Sequence, residues 1–193
     1  QWEEWKELFH VDEEERNLFT PKSKKKRRVE FLKDHPTLVL DTKHFDENFK
    51  DRLLASFENI DEMMDGLLIH GENWQALNLL LEKHREKVKC IYIDPPYNTG
   101  TGDFLYKDSY QHSSWIAMME ERINLGHALL RHDGHFVCHI DEHEVNVLEE
   151  MIRLRFGRAN SIGPVVWDKR NPKGDATGIA MQHEYLLWAV KDR

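Results

Sequence analysis

An apolar run that ends on tandem prolines constrains this chain more than any other feature. Val88-Lys-Cys-Ile-Tyr-Ile93 reads as a strand apolar enough to be buried on both faces. Asp94-Pro95-Pro96 stops it, because proline lacks the N–H that a ladder needs and holds the residue before it extended. Strand and helix patterns alternate around this point. Gly66-Leu-Leu-Ile-His70 reads as a short strand, and Gly71-Glu72-Asn73 turns into a helix with Trp74, Leu77, Leu80 and Leu81 on one face. A loop rich in Gly, Asp and Tyr covers 98–112. Ser113 or Ser114 then caps a helix with Trp115, Met118, Met119, Arg122 and Leu125 at helical spacing. Asp133-Gly134 reads as a turn and His135–Ile140 as a strand, while Asp141-x-x-Glu144 resembles a capping box opening a helix that ends near Gly157. Val165–Trp167 and Glu184–Val190 are further strands, joined by the polar loop Lys169–Gln182 and able to pair antiparallel at one edge. The alternation predicts an α/β domain with a mostly parallel sheet.

Composition narrows the function classes. The chain has 193 residues, 40% hydrophobic and 32% charged, with a net charge of -8. That balance argues against a protein that simply coats nucleic acid, but not against a DNA enzyme with a local basic surface. Residues 1–37 form a charged N-terminal segment, in which Glu13-Glu14-Glu15 precedes the basic run Lys22–Arg28. The run reads as a solvated loop or turn, with a phosphate contact or a targeting signal as the sharper alternatives. Residues 38–193 hold the regular pattern. Cys90 and Cys138 sit in apolar runs and read as buried free thiols of a reducing compartment. His139-Ile-Asp-Glu-His143 has helical histidine spacing but no HExxH pattern, so no metal is expected. No apolar stretch approaches ~18 residues, the length of a membrane span, and no signal peptide is visible. The chain opens on Gln1 rather than Met, which reads as a fragment.

In an open α/β sheet, ligands bind beyond the carboxyl ends of the strands, and Asp94 stands at such an end. Asp-Pro-Pro-Tyr suits chemistry on an exocyclic amine, whose lone pair is delocalised into a nucleobase ring. The Asp94 carboxylate and the Pro95 carbonyl can each accept one amine hydrogen, favouring a tetrahedral nitrogen and stabilising the positive charge that develops on it. The Pro95-Pro96 pair keeps that carbonyl rigid. Tyr97 offers a flat face for a base extruded from the duplex. Asp and Pro are also ordinary turn residues. The apolar strand before the motif, Tyr97 at its end and Asn98-Thr99-Gly100 after it decide for the functional reading. Glu72 could line the same cleft or serve only as an acidic first-turn residue. Tyr106 and Tyr110 could cover a flipped base or pack in the loop. Lys169, Arg170 and Lys173 could touch DNA phosphates or stay solvated.

These segments resemble the β group of amino-methyltransferases, and more narrowly the modification subunits of type III restriction–modification systems. The resemblance rests on Leu67–Leu77, Ile91–Gly100, Tyr110–Trp115 with Met118-Met119, Ile140–Glu144 and His183-Glu184-Tyr185. Leu38–Phe45 extends it, so that it covers about 38 to 193. It implies a Rossmann-like methyltransferase fold, S-adenosylmethionine as cofactor, and Asp94 to Tyr97 as the shared cofactor and base site. The implied substrate is adenine N6 in double-stranded DNA, with cytosine N4 or a non-catalytic recognition subunit as alternatives. A homodimer, a nuclease/helicase restriction subunit and a bacterial cytoplasmic location are implied with it. The family's Gly-rich cofactor loop and target-recognition region follow the catalytic motif, and neither has a counterpart here; Phe156-Gly157-Arg158 lacks the second Gly. The 38–193 domain is therefore expected to be partial, with an incomplete sheet of about five strands. It is also expected to bind S-adenosylmethionine poorly alone, which calorimetry would test.

Overall fold

The computed structural model describes residues 1–9, 24–100, 105–170 and 181–192. It divides into two units, Gln1–Leu67 and Leu68–Arg193. The first unit carries short helices: α1 (Trp2–Leu8), α2 (Lys24–Asp34), α3 (Glu47–Ala55) and α4 (Ile60–Met63). Asp46 caps α3 by accepting from Phe49 N at 2.7 Å. Half-buried Phe31 gathers the aromatic side chains of this unit. Trp2 meets its ring edge-on at 5.4 Å, and His35 stacks on it at 4.2 Å. The boundary expected at 37/38 lies inside this unit, because residues 39–44 are tied back to α1: Gln1 donates to the Val39 carbonyl, and His44 Nε2 lies 2.9 Å from Glu4. The backbone of the basic run is helical from Lys24 rather than a loop, and Arg28 lies over the Trp2 ring at 5.0 Å. Lys22 and Ser23 lie outside the described residues.

The second unit holds α5 (Asn73–His84), β1 (Val88–Ile93), α6 (His112–Leu129), β2 (Leu130–Ile140), α7 (Val145–Phe156), β3 (Ser161–Asp168) and β4 (His183–Val190). Its sheet runs β1-β2-β4-β3. The β1–α6–β2 crossover makes the first pair parallel, while β4 runs antiparallel to both β2 and β3. Two expectations are corrected. The sheet is mixed, with one parallel pair, because β4 runs antiparallel to both of its neighbours. Among the described residues Val88–Ile93 is an edge strand, not one buried on both faces, so Tyr92 is 58% exposed and Cys90 is exposed rather than buried.

Gly66–His70 does not form a strand, and Leu68 is 95% exposed. An isolated apolar run has no ladder partner for its backbone groups, and none pairs with it among the described residues. The described sheet thus has four strands rather than about five. The cap expected from Ser113 or Ser114 is replaced by Gln111, with no side-chain bond. Asp141 does not start α7. It closes a tight turn by accepting from His143 N at 2.9 Å, and the helix begins after Glu144. Gly157 ends α7 at φ 87°, a conformation suited to glycine.

The core lies on one face of the sheet. Phe136, Cys138 and Ile140 of β2 and Leu187 and Ala189 of β4 pack against Trp115, Met119 and Ile123 of α6 and Leu148, Ile152 and Phe156 of α7. The buried stripe of α6 therefore runs through Trp115, Met119, Ile123 and Gly126, while Met118, expected beside them, is only half-buried. The Asp133-Gly134 turn survives as a bulge inside β2. Val88 pairs with Leu130 and Cys90 with His135, so β2 advances five residues while β1 advances two. A β-carbon on Gly134 would lie 2.8 Å from the Arg131 carbonyl oxygen, 2.9 Å from Leu130 Cδ2 and 3.1 Å from the Val88 carbonyl oxygen. Two of these are backbone atoms that cannot swing aside. Gly134→Ala is therefore expected to cost about 1–3 kcal/mol, the range for overpacked sites. Urea denaturation measures it, and an unchanged midpoint would contradict the crowding.

Candidate active site at the end of the first strand

Asp94-Pro95-Pro96-Tyr97 follows β1 at its carboxyl end, and each residue after Asp94 is partly buried. The segment is clamped on both sides of Tyr97. Before it, the fully buried Trp115 donates its indole N–H to the Pro96 carbonyl at 2.8 Å. Trp115 takes the Pro96 oxygen, not that of Pro95, which fixes the Pro96–Tyr97 peptide plane. After it, Asn98 adopts a left-handed turn at φ 64°, a conformation Asn tolerates better than most residues. The buried Asp108 holds this turn by accepting from Asn98 N at 2.8 Å, Thr99 N at 3.1 Å and the Thr99 hydroxyl. The Gly100 amide bonds back to the Asp108 carbonyl at 2.8 Å.

Tyr97 is half-buried, and its hydroxyl is hydrogen-bonded to the Asp94 carboxylate. Burial, then that bond, and then the negative charges of Asp94, Glu184 and Asp141 push the phenol well above the ordinary tyrosine range. The ring therefore stays neutral and its hydroxyl stays a donor at any working pH. On the sheet face away from the core, a polar chain crosses the strands. Tyr92 Oη lies 3.2 Å from His139 Nδ1, and His139 Nε2 lies 2.9 Å from Glu184 Oε2. The His139 ring sits 6.1 Å from that of Tyr97.

A cleft of about 540 Å³ opens beside the motif between α5, β1 and α6, within the ~300–1,000 Å³ span of small-molecule sites. Asp94, Pro95 and Pro96 line one wall, with Asn73, Met118 and Tyr110 around them. Tyr110 is thus brought to the site, held by its amide to Asn98 Oδ1 at 2.6 Å and with Lys107 Nζ 4.3 Å from its ring centre. Tyr106 is 55% exposed and does not line the cleft. Glu72 caps α5 instead of lining the cleft. It accepts from Gln75 N at 2.9 Å and pairs with Arg122 at 2.8 Å. The Gln75 and Trp74 amides, then Arg122, hold its carboxyl below the ordinary range. Lys169 is ion-paired with Glu184. Arg170 is exposed, 4.0 Å from Asp168. Lys173 lies outside the described residues.

Sequence reasoning missed Asp108 and read Trp115 as core and Glu144 as a cap. A lone acid in a Gly/Tyr loop carries no pattern. Only its burial, at 3% exposure, marks it as structural. Asp141, Glu142 and His143 stand close enough to hold a metal ion. The Asp141–His143 contact at 2.9 Å and the Asp141 turn account for two of them without one.

Comparison with known proteins follows the same residues. The profile of a DNA methylase family matches residues 88–193. The Mod subunit of the type III restriction–modification enzyme EcoP15I of Escherichia coli is 31% identical over 157 residues, 66% of this chain and 24% of its own length. The probable type III HindVI Mod subunit of Haemophilus influenzae is 39% identical over 101 residues, 52% of this chain and 14% of its own length. The type II methyltransferase M.KpnI of Klebsiella pneumoniae is 31% identical over 154 residues, 70% of this chain and 37% of its own. The chain thus spans about a quarter of the length of the EcoP15I subunit. The crystal structure of the M1.HpyAVI–SAM complex superimposes with a TM-score of 0.45 at 19% identity, over 64% of this chain and 54% of that one. The clamped Asp-Pro-Pro-Tyr segment and the cleft beside it fall within or against the matched span, and the chain belongs to the DNA methylase family.

Proposed function

We propose that the protein carrying this chain methylates N6 of a flipped-out adenine in double-stranded DNA, as the modification component of a type III restriction–modification system. The observation that carries the reading is the clamp on Asp94–Tyr97, which holds a carboxylate and a rigid proline backbone at the cleft wall, with the Tyr97 ring next to them in the chain. The names of the type III relatives support the subfamily, and the resemblance carried by Asp94-Pro95-Pro96-Tyr97 supports adenine as the substrate.

The cleft suits S-adenosylmethionine by its volume, by its largely apolar wall of α5 and α6, and by the Asp94 carboxylate at its rim, which favours a cationic sulfonium. Bound there, that group supplies an activated methyl. Every other part of the reaction falls to the chain's own residues. Asp94 and the Pro95 carbonyl accept the two amine hydrogens and turn the nitrogen lone pair toward the donor. Asp94 then faces the positive charge that forms on nitrogen. Tyr97 stacks the extruded base, with Tyr110 at the cleft beside it. The pairing of Lys169 with Glu184 leaves Arg170 as the better-placed phosphate contact of the two described basic residues. A homodimer, a restriction subunit and a bacterial cytoplasmic setting accompany this reading. The deciding experiment is a nucleoside digest of duplex DNA treated with the purified protein and the cofactor. N6-methyladenine is expected. N4-methylcytosine would move the substrate to the other amine, and no methylated base would favour a recognition subunit.

A further inference from the structure

The left-handed turn at Asn98 has a second anchor besides Asp108, and it comes from an element remote in sequence. Asn98 Nδ2 donates to Glu144 Oε1 at 2.6 Å, across 46 residues. His112 Nδ1 lies 2.8 Å from the same oxygen. Glu144 is 1% exposed, at the start of α7, and its other oxygen, Oε2, is buried with no hydrogen-bond partner. A buried carboxylate with one bare oxygen is costly. A cap would account for it, but Glu144 makes no side-chain cap bond. What it does hold is the side chain of the residue following Tyr97. The other end of that side chain, Asn98 Oδ1, accepts the Tyr110 amide. Asn98 thus ties together the motif, the cleft-lining loop and the first turn of α7.

We propose that Asn98 and Glu144 are a positioning pair for base capture: the buried carboxylate of Glu144 sets the Asn98 turn, and through it the plane of Tyr97 and the place of Tyr110. The inference rests on the functional reading above for what the pair positions. The geometry of the bonds fixes which substitutions matter. Glu144→Gln keeps an acceptor for Asn98 and His112 and turns its amide toward the unpartnered side, so it is tolerated. Glu144→Ala removes the acceptor. Asn98→Asp sets two carboxylates face to face, while Asn98→Asp combined with Glu144→Gln rebuilds one donor–acceptor pair with its polarity reversed.

The test uses the complete natural polypeptide and duplex DNA with a fluorescent base analogue at the target position. Amide hydrogen exchange over residues 97–111 is read in parallel. Leu148→Ala, a core truncation on α7, is the control for simple loss of stability. Asn98→Asp and Glu144→Ala are expected to weaken base capture about tenfold, the loss of one buried charge-assisted bond, and to speed exchange over 97–111. Leu148→Ala should do neither at a matched fall in melting temperature, Glu144→Gln should resemble the parent, and the double variant should recover most of the capture lost by Asn98→Asp. Wild-type capture in Glu144→Ala, or a double variant no better than Asn98→Asp, overturns the proposal. A parent protein that methylates no DNA would instead sink the functional reading, and the exchange data would still decide whether the pair holds the loop.

Discussion

Replacing Asp94 with alanine is expected to lower single-turnover methylation about 100-fold or more, the loss typical of one preorganised partner to developing charge. The carboxylate stands exposed at the end of β1, beside the cleft, with the Tyr97 hydroxyl as its partner. The fold does not depend on it, because the core lies on the α6–α7 side of the sheet. The substitution should therefore leave the melting temperature nearly unchanged and act on the chemical step. Asp94→Asn is the sharper form: it keeps an acceptor oxygen and the size but discards the charge, so it separates hydrogen-bond acceptance from charge stabilisation. Near-normal rates in Asp94→Ala would require abandoning the mechanism.

Tyr97 is expected to fail differently. Tyr97→Ala removes the stacking face, and a base–aromatic stack is worth about 1–3 kcal/mol. Capture of the extruded base should weaken about 5- to 150-fold on that basis, read from the fluorescence of a base analogue. Tyr97→Phe keeps the face. It loses only the bond to Asp94, about 1 kcal/mol or roughly fivefold, and that loss should appear in turnover more than in capture because Asp94 is the group set loose. The raised phenol pKa adds a pH signature. Ionisation of Tyr97 makes no contribution to the alkaline limb of the rate profile, so the parent and Tyr97→Phe should share one. A Phe variant as impaired in capture as the Ala variant would refute the stacking role.

The motif was legible because its information is local: an apolar run, two prolines and an aromatic in sequence. The α5, α6 and α7 helices were legible from their spacing, and the antiparallel pairing of the last two strands from the lack of a helical sequence pattern between them. The rest depends on partners that no local pattern announces. Gly66–His70 has strand composition, but composition does not supply a neighbour to bond. Val88–Ile93 reads as doubly buried, yet its place in the order is at an edge. Glu144 matches a capping box at its own position and is recruited instead by Asn98, 46 residues earlier. Lys169 reads as a free cation until Glu184 is found beside it.

Cys138 pairs in register with Ile93, immediately before Asp94, and is fully buried, while Cys90 on the same strand pair is exposed. Burial, then the nearby Asp94 charge, raises the Cys138 thiol far above the ordinary range, so it offers almost no thiolate to an alkylating reagent. The two sulfurs therefore make a built-in clock for opening of the core. Cys90 marks the instant a reagent is added, and Cys138 is modified only when the sheet parts from the α6 and α7 side chains that cover it. The lag between the two modifications, followed by mass, times how often that layer opens, with and without a ligand in the cleft.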